Sequence, residues 1–278
     1  MDLNNVCPYL KFLFAVAAVS FMVVSCQNDD ADSNVEIDTV ESFVSSDMDE
    51  QEILLFESTG AHQECQYDIL RKETPECATI TSSGDEFPKV ITIDFGDGCV
   101  DDKGKTKSGK IIISESASLV ETGAVRTITF DEFSGCKSKL EGTRTITNSG
   151  INDNGNIVFL IQGEITGAGK KGKTKTFTME KEWIEGSETC QSDDDEFLVT
   201  GVSTMSCKRQ AGSKTVIEPI HIAPGQCEYP LSGKVSIQRK GKTSEIDFGD
   251  GTCDNIATVT KSDGSTEEIN LDERMMTR

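Results

Sequence analysis

Aromatic and histidine side chains are scarce in this sequence. Its 278 residues include one Trp, three Tyr and two His, and aromatic residues make up only 6% of the chain. Single-stranded nucleic acids stack their bases on aromatic side chains, and sugar-binding clefts use similar platforms. The net charge of −21 is a further argument against nucleic-acid binding, because the phosphate backbone requires a basic surface. We therefore expect no nucleic-acid partner.

The motifs of common enzyme and metal-site classes are missing as well. The chain has no G-x-S-x-G, no H-E-x-x-H and no C-x-x-C, and only His62 and His221 carry imidazole, so a serine hydrolase or a zinc site is not expected. His221 belongs to the alternating run VIEPIHI and is expected to point outward or to be satisfied on a strand. We predict a protein that is not an enzyme. A glycan-active enzyme using two carboxylates is the alternative, since Asp and Glu are abundant.

A single long apolar run stands near the N-terminus. Phe12 to Val24 is uninterrupted and follows Lys11, but it is shorter than the roughly 20 residues that a spanning helix needs. We interpret residues 1–25 as a secretory signal. The run ends in VVSC, which resembles a bacterial lipobox and implies lipidation of Cys26; the alternative is an ordinary cleaved signal with Cys26 in a disulfide. The following CQNDD resembles the export signal of surface lipoproteins from the Bacteroidota, which implies an outer-membrane protein, lipid-anchored and on the cell surface; the alternative is a periplasm-facing position.

Residues 26–60 read as an acidic tether. Between residues 27 and 57 there are eleven carboxylates and no Lys or Arg, so self-repulsion should keep the first part extended and solvated. Within it, Asp47 to Phe56 could form a short helix, because serines precede it and acids fill its first turn. Its apolar side would consist of Ile53, Leu54 and Phe56. We expect this helix to dock on the body.

In the body, residues 61–278, apolar and polar residues alternate with a period of two from about Phe87 onward. Short runs rich in Ile, Val, Thr and Phe are separated by turn residues, which is typical of antiparallel sheet. We predict an all-β fold, an antiparallel sandwich or strongly curled sheet of roughly eleven strands. The runs are VITIDF, KIIISES, RTITF, GTRTITN, NIVFLIQGEIT, KTFTMEKEW, EFLVTGVSTM, KTVIEPIHI, GKVSIQ, ATVT and EEINL.

Eight cysteines remain after the signal and the lipidated position are set aside, and an even number in an exported chain favours disulfides. The sequence IDFGDG occurs twice, and each copy is followed by a cysteine that has another roughly 22 to 26 residues before it. This repeat predicts equivalent bridges, Cys77–Cys99 and Cys227–Cys253. Among the other four, Cys190–Cys207 is compatible with a hairpin and would leave Cys65–Cys136.

The repeated IDFGDG, at Ile93–Gly98 and Ile246–Gly251, has two interpretations. Glycine supplies the positive φ of a tight turn, and an Asp between glycines can bond back to its own backbone. Turn chemistry therefore accounts for the motif, and we predict a turn without a cofactor. The alternative is calcium, although the spacing is not that of an EF-hand. Its ligands would be Asp94, Asp97 and Asp101 in one copy, and Asp247, Asp250 and Asp254 in the other.

GAGKKGKT, Gly167 to Thr174, satisfies the phosphate-loop pattern. A working phosphate loop needs a helix to begin at the Lys-Thr, whereas TFTMEKEW alternates like a strand. We predict a hairpin tip and no nucleotide. Its basic cluster is expected to be solvated, although it could bind an anionic glycan or an acidic partner surface. The cluster consists of Lys170, Lys171, Lys173 and Lys175.

Several segments resemble recurring blocks of an uncharacterised family of Bacteroidota surface lipoproteins with DFGDG repeats. They are PKVITIDFGDGC, SGKIII, EGTRTITN, EWIEG and DFGDGTCDNIATVT, and they span most of residues 87–271. The resemblance implies location and fold, but no chemistry. The prediction for function is a lipid-anchored cell-envelope β-domain with a non-catalytic binding or structural role and a protein or glycan partner. A calcium-stabilised structural domain is a further alternative.

Overall fold

A computed structural model describes residues 66, 69–71, 74–101, 104–135, 139–168, 173–191, 193–207 and 210–272. Fourteen strands make up most of these residues. The predicted signal, Cys26, the tether and the helix at 47–56 lie outside them. Where the chain is described, no helix has the length and apolar character to cross a membrane.

The strand bounds follow the alternating runs of the sequence. They are β1 Thr79–Ser82, β2 Lys89–Asp94, β3 Cys99–Val100, β4 Thr106–Glu115, β5 Val125–Ser134, β6 Lys139–Ile151, β7 Ile157–Ala168, β8 Lys173–Glu185, β9 Glu196–Cys207, β10 Gln210–Ile222, β11 Ser232–Arg239, β12 Lys242–Asp250, β13 Ile256–Thr260 and β14 Thr266–Asn270.

All of the strands belong to one antiparallel arrangement in which neighbours in sequence are neighbours in space. The order is β1-β2-β4-β5-β6-β7-β8-β9-β10-β11-β12-β13-β14, and β3 pairs with β4 beside this path. The predicted all-β class is confirmed, but the count of roughly eleven was too low. The strands that the prediction omitted are β1 and β3, which are too short to show alternation, and β12, whose sequence was read as the second loop.

Alternation gives the sheet one buried face, which we call the inner face, and an opposite outer face. In β2, for example, Lys89, Ile91 and Ile93 are buried while the residues between them are more exposed. The apolar part of the inner face forms two clusters. One extends from Leu70 to Phe197 and the other from Met205 to Leu271, and Ile222 packs against both.

The two IDFGDG copies occupy equivalent places near opposite ends of the strand order. Cys77–Cys99 and Cys227–Cys253 are disulfides, as predicted. Each bridge encloses an antiparallel hairpin, β1-β2 or β11-β12, in which the first isoleucine of the motif faces an apolar residue: Ile93 faces Ile80, and Ile246 faces Val235. The sequence repeat is therefore a structural repeat.

The remaining cysteines are described only in part. Cys190 is disulfide-bonded, and Cys207 ends β9. The side chains of Cys65, Cys136 and Cys207 lie outside the described residues, so the pairings Cys190–Cys207 and Cys65–Cys136 stay predictions.

The phosphate-loop pattern falls on the β7-β8 hairpin. Strand β7 ends at Ala168 and β8 begins at Lys173, so Lys173 and Thr174 open a strand, as TFTMEKEW predicted. Lys170 and Lys171 lie outside the described residues. The prediction of a solvated cluster was wrong for Lys175, which is buried on the inner face, because the alternation of β8 places it beside Phe177 and not at the tip.

Candidate functional site: the charged inner face

Three charged side chains form a row across β2, β4 and β5. Lys89 lies opposite Glu115, and Glu115 lies opposite Arg126, so all three project from one face of the sheet. Their exposed fractions are 7%, 3% and 1%. Charges this deeply buried are costly unless they are paired and hydrogen-bonded.

Glu115 is the centre of this row. Its Oε1 accepts hydrogen bonds from Nε of Arg126 at 2.6 Å and from Nε2 of Gln66 at 2.7 Å. Arg126 Nη2 also lies 2.6 Å from Oε1, and Lys89 Nζ lies 3.6 Å from Oε2, an ion pair longer than a hydrogen bond. Burial lowers the pKa of Arg126, and the charge of Glu115 opposes that shift. The carboxylate thus neutralises the guanidinium and ties the chain at Gln66 to the sheet.

A second group joins β6 and β8 across a glycine of β7. Arg144 lies opposite Gly163, and Gly163 lies opposite Phe177. The Arg144 guanidinium carbon is 4.8 Å from the centre of the Phe177 ring, and Lys175 Nζ is 6.0 Å from it. A Cβ at Gly163 would stand 2.6 Å from Cζ of Phe177. The absence of a side chain at Gly163 therefore lets the ring and the guanidinium meet, in the attractive arrangement of a cation over an aromatic face.

A third group lies at the other end of β8. Lys181 Nζ is 3.8 Å from the centre of the Phe197 ring, and Trp183 packs on the same ring at 5.7 Å between centroids. Trp183 Nε1 donates a hydrogen bond to Asp195 Oδ1 at 3.0 Å. Burial and, next, the positive charge of Arg144 lower the pKa of Lys181 to about 7, against the opposing charge of Asp195.

Together these groups place several cations among the buried residues of the inner face in an acidic chain. Among the described residues that are buried there, two are carboxylates, Glu115 and Asp195, and five are cations. We call the five the inner cations: Lys89, Arg126, Arg144, Lys175 and Lys181. Both carboxylates are engaged by Arg126 or Trp183, as buried charges require.

The inner cations were not singled out from the sequence, although a signal was present. In KTKTFTMEKEW the period of two places Lys175 and Lys181 on the same face as Phe177 and Trp183. An alternating strand with lysine and aromatic residues at the same parity predicts buried cations against rings.

The first IDFGDG copy is a turn fastened by the aspartate that precedes it. Gly96 has φ of 58°, and its N–H donates to Asp94 Oδ1 at 2.8 Å. That bond is the main cause of the lowered pKa of Asp94, with the bond from Lys110 next. Asp101 caps the following loop, since its Oδ1 accepts a hydrogen bond from the Lys105 N–H.

The second copy differs, because β12 continues to Asp250. Gly249 has φ of 98° and donates to Asp247 Oδ1 at 3.0 Å. Asp250 accepts from the N–H and hydroxyl of Thr252, and Asp254 accepts from the Ile256 N–H. The predicted local bond of the central aspartate is therefore present at Asp250. Asp97 makes no such bond with a described residue, and in both copies the aspartate before Phe holds the glycine.

These carboxylates do not converge. Over the described ranges, no group of three or more His, Cys, Asp and Glu is placed to hold a metal ion. Two of the aspartates face lysine instead: Asp94 Oδ2 is 3.2 Å from Lys110 Nζ, and Asp247 Oδ2 is 3.5 Å from Lys234 Nζ. The geometry of both copies is that of side chains bonded to their own turns.

The imidazole of His221 has a hydrogen-bond partner on the neighbouring strand. Its Nε2 lies 2.8 Å from Glu196 Oε2, and the other oxygen of Glu196 accepts from Gln226 Nε2 at 3.1 Å. This partner gives the imidazole a structural role on β10, in line with the prediction of a satisfied strand histidine.

Substitutions in the IDFGDG copies distinguish a turn from a calcium site. Gly96→Val and Gly249→Val should each cost about 1–3 kcal/mol, because a β-branched residue is strained at positive φ. Asp97→Asn and Asp250→Asn should change stability by less than about 0.5 kcal/mol. Thermal denaturation with and without millimolar calcium measures both. A calcium-dependent rise in Tm that either Asp→Asn variant abolishes would contradict the turn.

The lowered pKa of Lys181 predicts a pH dependence of stability. Between about pH 7 and the usual lysine value near 10.5, the unfolded chain holds this proton and the folded chain does not, so stability rises with pH. Lys181→Met should reduce that slope by up to about 1.4 kcal/mol per pH unit, measured by urea unfolding from pH 7 to 10. Lys240→Met, at an exposed lysine, should leave the slope unchanged. Equal slopes in wild type and Lys181→Met would refute the assignment.

Comparison of the chain with family models, with curated proteins and with solved structures finds no match. Function therefore has to be inferred from the chemistry of the described residues.

Proposed function

We propose that this protein is a lipid-anchored domain of the bacterial cell envelope, exposed at the cell surface, that acts by binding a partner protein and not by catalysis. The observation that supports a binding role is that the two faces of the sheet differ: one is buried and the other is exposed. The inner face uses its rings and charges in packing, which leaves the outer face for contact.

The outer face is a regular polar surface. One row crosses six strands without a charge, from Thr127 on β5 through Thr145, Gln162, Thr178 and Val202 to Thr215 on β10. Neighbouring hydroxyls bond across strands, as Thr166 does with Thr174 at 3.0 Å. Successive strands lie about 4.8 Å apart, so the row presents hydrogen-bonding groups at a constant spacing.

A protein fits this surface better than a glycan does. The rings of Phe159, Phe177, Trp183 and Phe197 on β7, β8 and β9 are all buried on the inner face, so sugar rings would meet no aromatic platform on the outer side of these strands. Val202 and Ile217 are each 47% exposed. Apolar side chains among hydroxyls resemble a protein-binding patch, in which a small apolar centre is surrounded by polar groups.

The anchor is tested at Cys26. If Cys26 carries the lipid, Cys26→Ala should move the protein from the membrane to the soluble fraction and abolish labelling by a fatty-acid analogue. Cell fractionation and metabolic labelling measure these two effects. A wild-type protein that stays with membranes but incorporates no label would rule out the lipid anchor.

Cysteine footprinting tests the outer face. A membrane-impermeant maleimide is applied to intact cells and to purified protein carrying Val202→Cys or, as control, Glu121→Cys in an exposed turn. We expect both thiols to react in purified protein, and only the Glu121→Cys thiol to react fully on cells, because a partner covers Val202. Equal labelling of the two variants on cells would contradict an outer-face partner. Labelling of both only after the outer membrane is permeabilised would place the body in the periplasm.

A further inference from the structure

Exposed carboxylates border the neutral row of the outer face on both sides of Val202. Val202 lies opposite Thr178 of β8. Two residues after Thr178 on the same strand comes Glu180. Two residues before it comes Thr176, which lies opposite Glu164 of β7. Residues that lie opposite one another, or two apart on a strand, project from one face of a sheet, so both carboxylates share the outer face with Val202.

Both carboxylates lie close enough to Val202 to fall within a single interface. With about 3.4 Å per residue and 4.8 Å between strands, the Cα atom of Glu180 is about 8 Å from that of Val202, and the Cα atom of Glu164 is about 12 Å away. A standard interface covers about 800 Å² on each protein, which is the area of a disc about 16 Å in radius. A protein that covers Val202 therefore covers both carboxylates as well.

The chain itself does not neutralise these two carboxylates. Glu164 and Glu180 are exposed, and neither carboxylate has a hydrogen-bond or ion-pair partner in the part of the chain that the structure describes. The described lysines of the outer face are each paired with another carboxylate. The distances are 3.2 Å from Lys110 Nζ to Asp94 Oδ2, 2.9 Å from Lys139 Nζ to Glu132 Oε1 and 2.9 Å from Lys234 Nζ to Glu218 Oε1. Positive charge for Glu164 and Glu180 therefore has to come from the partner.

We propose that the partner at the outer face is a basic protein surface, whose Lys or Arg side chains pair with Glu164 and Glu180 around an apolar side chain seated on Val202. This assignment rests on the proposed function, in which a partner protein covers the row around Val202. A carboxylate that is covered without receiving a cation or a hydrogen-bond donor loses its water at a cost in free energy. An acidic partner is repelled by the same groups, and this includes a second copy of this chain, which has a net charge of −21.

Footprinting of Val202→Cys on intact cells tests the charge of the partner. The thiol is placed in three backgrounds: the otherwise unchanged chain, Glu164→Gln with Glu180→Gln, and a charge-matched control, Glu76→Gln with Glu188→Gln, in exposed turns. Each rate of reaction with the impermeant maleimide on cells is divided by the rate of the same purified variant, because a nearby carboxylate also changes the thiolate fraction of a cysteine.

Loss of two exposed ion pairs should weaken the complex and raise this ratio of rates roughly 2- to 30-fold in the Glu164→Gln, Glu180→Gln background. The control background should give the same ratio as the unchanged chain. A roughly tenfold rise in salt concentration should raise the ratio in the unchanged and control backgrounds more than in the neutralised one, because salt screens exposed charges. Thermal denaturation of the purified variants should give equal Tm values, since all four substitutions are at exposed sites.

The possible results separate this inference from the proposed function. If Val202→Cys reacts as fast on cells as in purified protein in all three backgrounds, no partner covers the face and the proposed function fails. If the thiol is protected on cells to the same extent in the neutralised and control backgrounds, or is protected better in the neutralised one, a partner is present and is not basic. Either of those two results would overturn the inference while leaving the outer-face partner in place.

Discussion

Positive charge buried on one face of a single sheet is the constraint on which the rest of this structure depends. A cation that leaves water loses several kcal/mol of solvation, which only close partners can replace. Among the described residues these partners include the Glu115 carboxylate for Lys89 and Arg126, and the rings of Phe177 and Phe197 for the cations of β6 and β8. A desolvated cation over a ring is worth about 2 kcal/mol. Each of these two rings therefore stabilises the interior both through the apolar area that it buries and through the attraction between its face and a cation.

The terminal strands at the two ends of the sheet are subject to a different constraint. A terminal strand exposes unpaired backbone groups that can recruit other chains. Both ends use short strands, β1 and β14. A disulfide closes the β1-β2 hairpin at one end, and another closes the β11-β12 hairpin two strands in from the other. Within the repeat, Asp94 and Asp247 each fasten a glycine and face a lysine, but Lys110 follows the loop in sequence whereas Lys234 precedes it. The lysine partner is thus found on opposite sides of the two copies, while the bond to the glycine stays the same.

Most of the sheet could be predicted from the sequence, because alternation is a local property. The long strands β6 to β10 follow runs in which Thr and charged residues alternate with apolar ones. Strands β1 and β3 could not be recognised, since four and two residues are too few to show a period. The register between strands could not be predicted from the sequence either. Arg144, Gly163 and Phe177 lie opposite one another only because of how three strands align. For the same reason the disulfide pairs were predictable only where the repeat supplied a second example of the spacing.

The chain separates its charges by position. Negative charge is concentrated in residues 27–57, positive charge is buried on the inner face, and the row from Thr127 to Thr215 on the outer face is neutral. The rows on either side of it hold the exposed carboxylates Glu164 and Glu180. A protein that approaches the row around Val202 therefore meets short polar and apolar side chains flanked by carboxylates, so its recognition depends on shape and hydrogen bonding at the centre and on charge at the border.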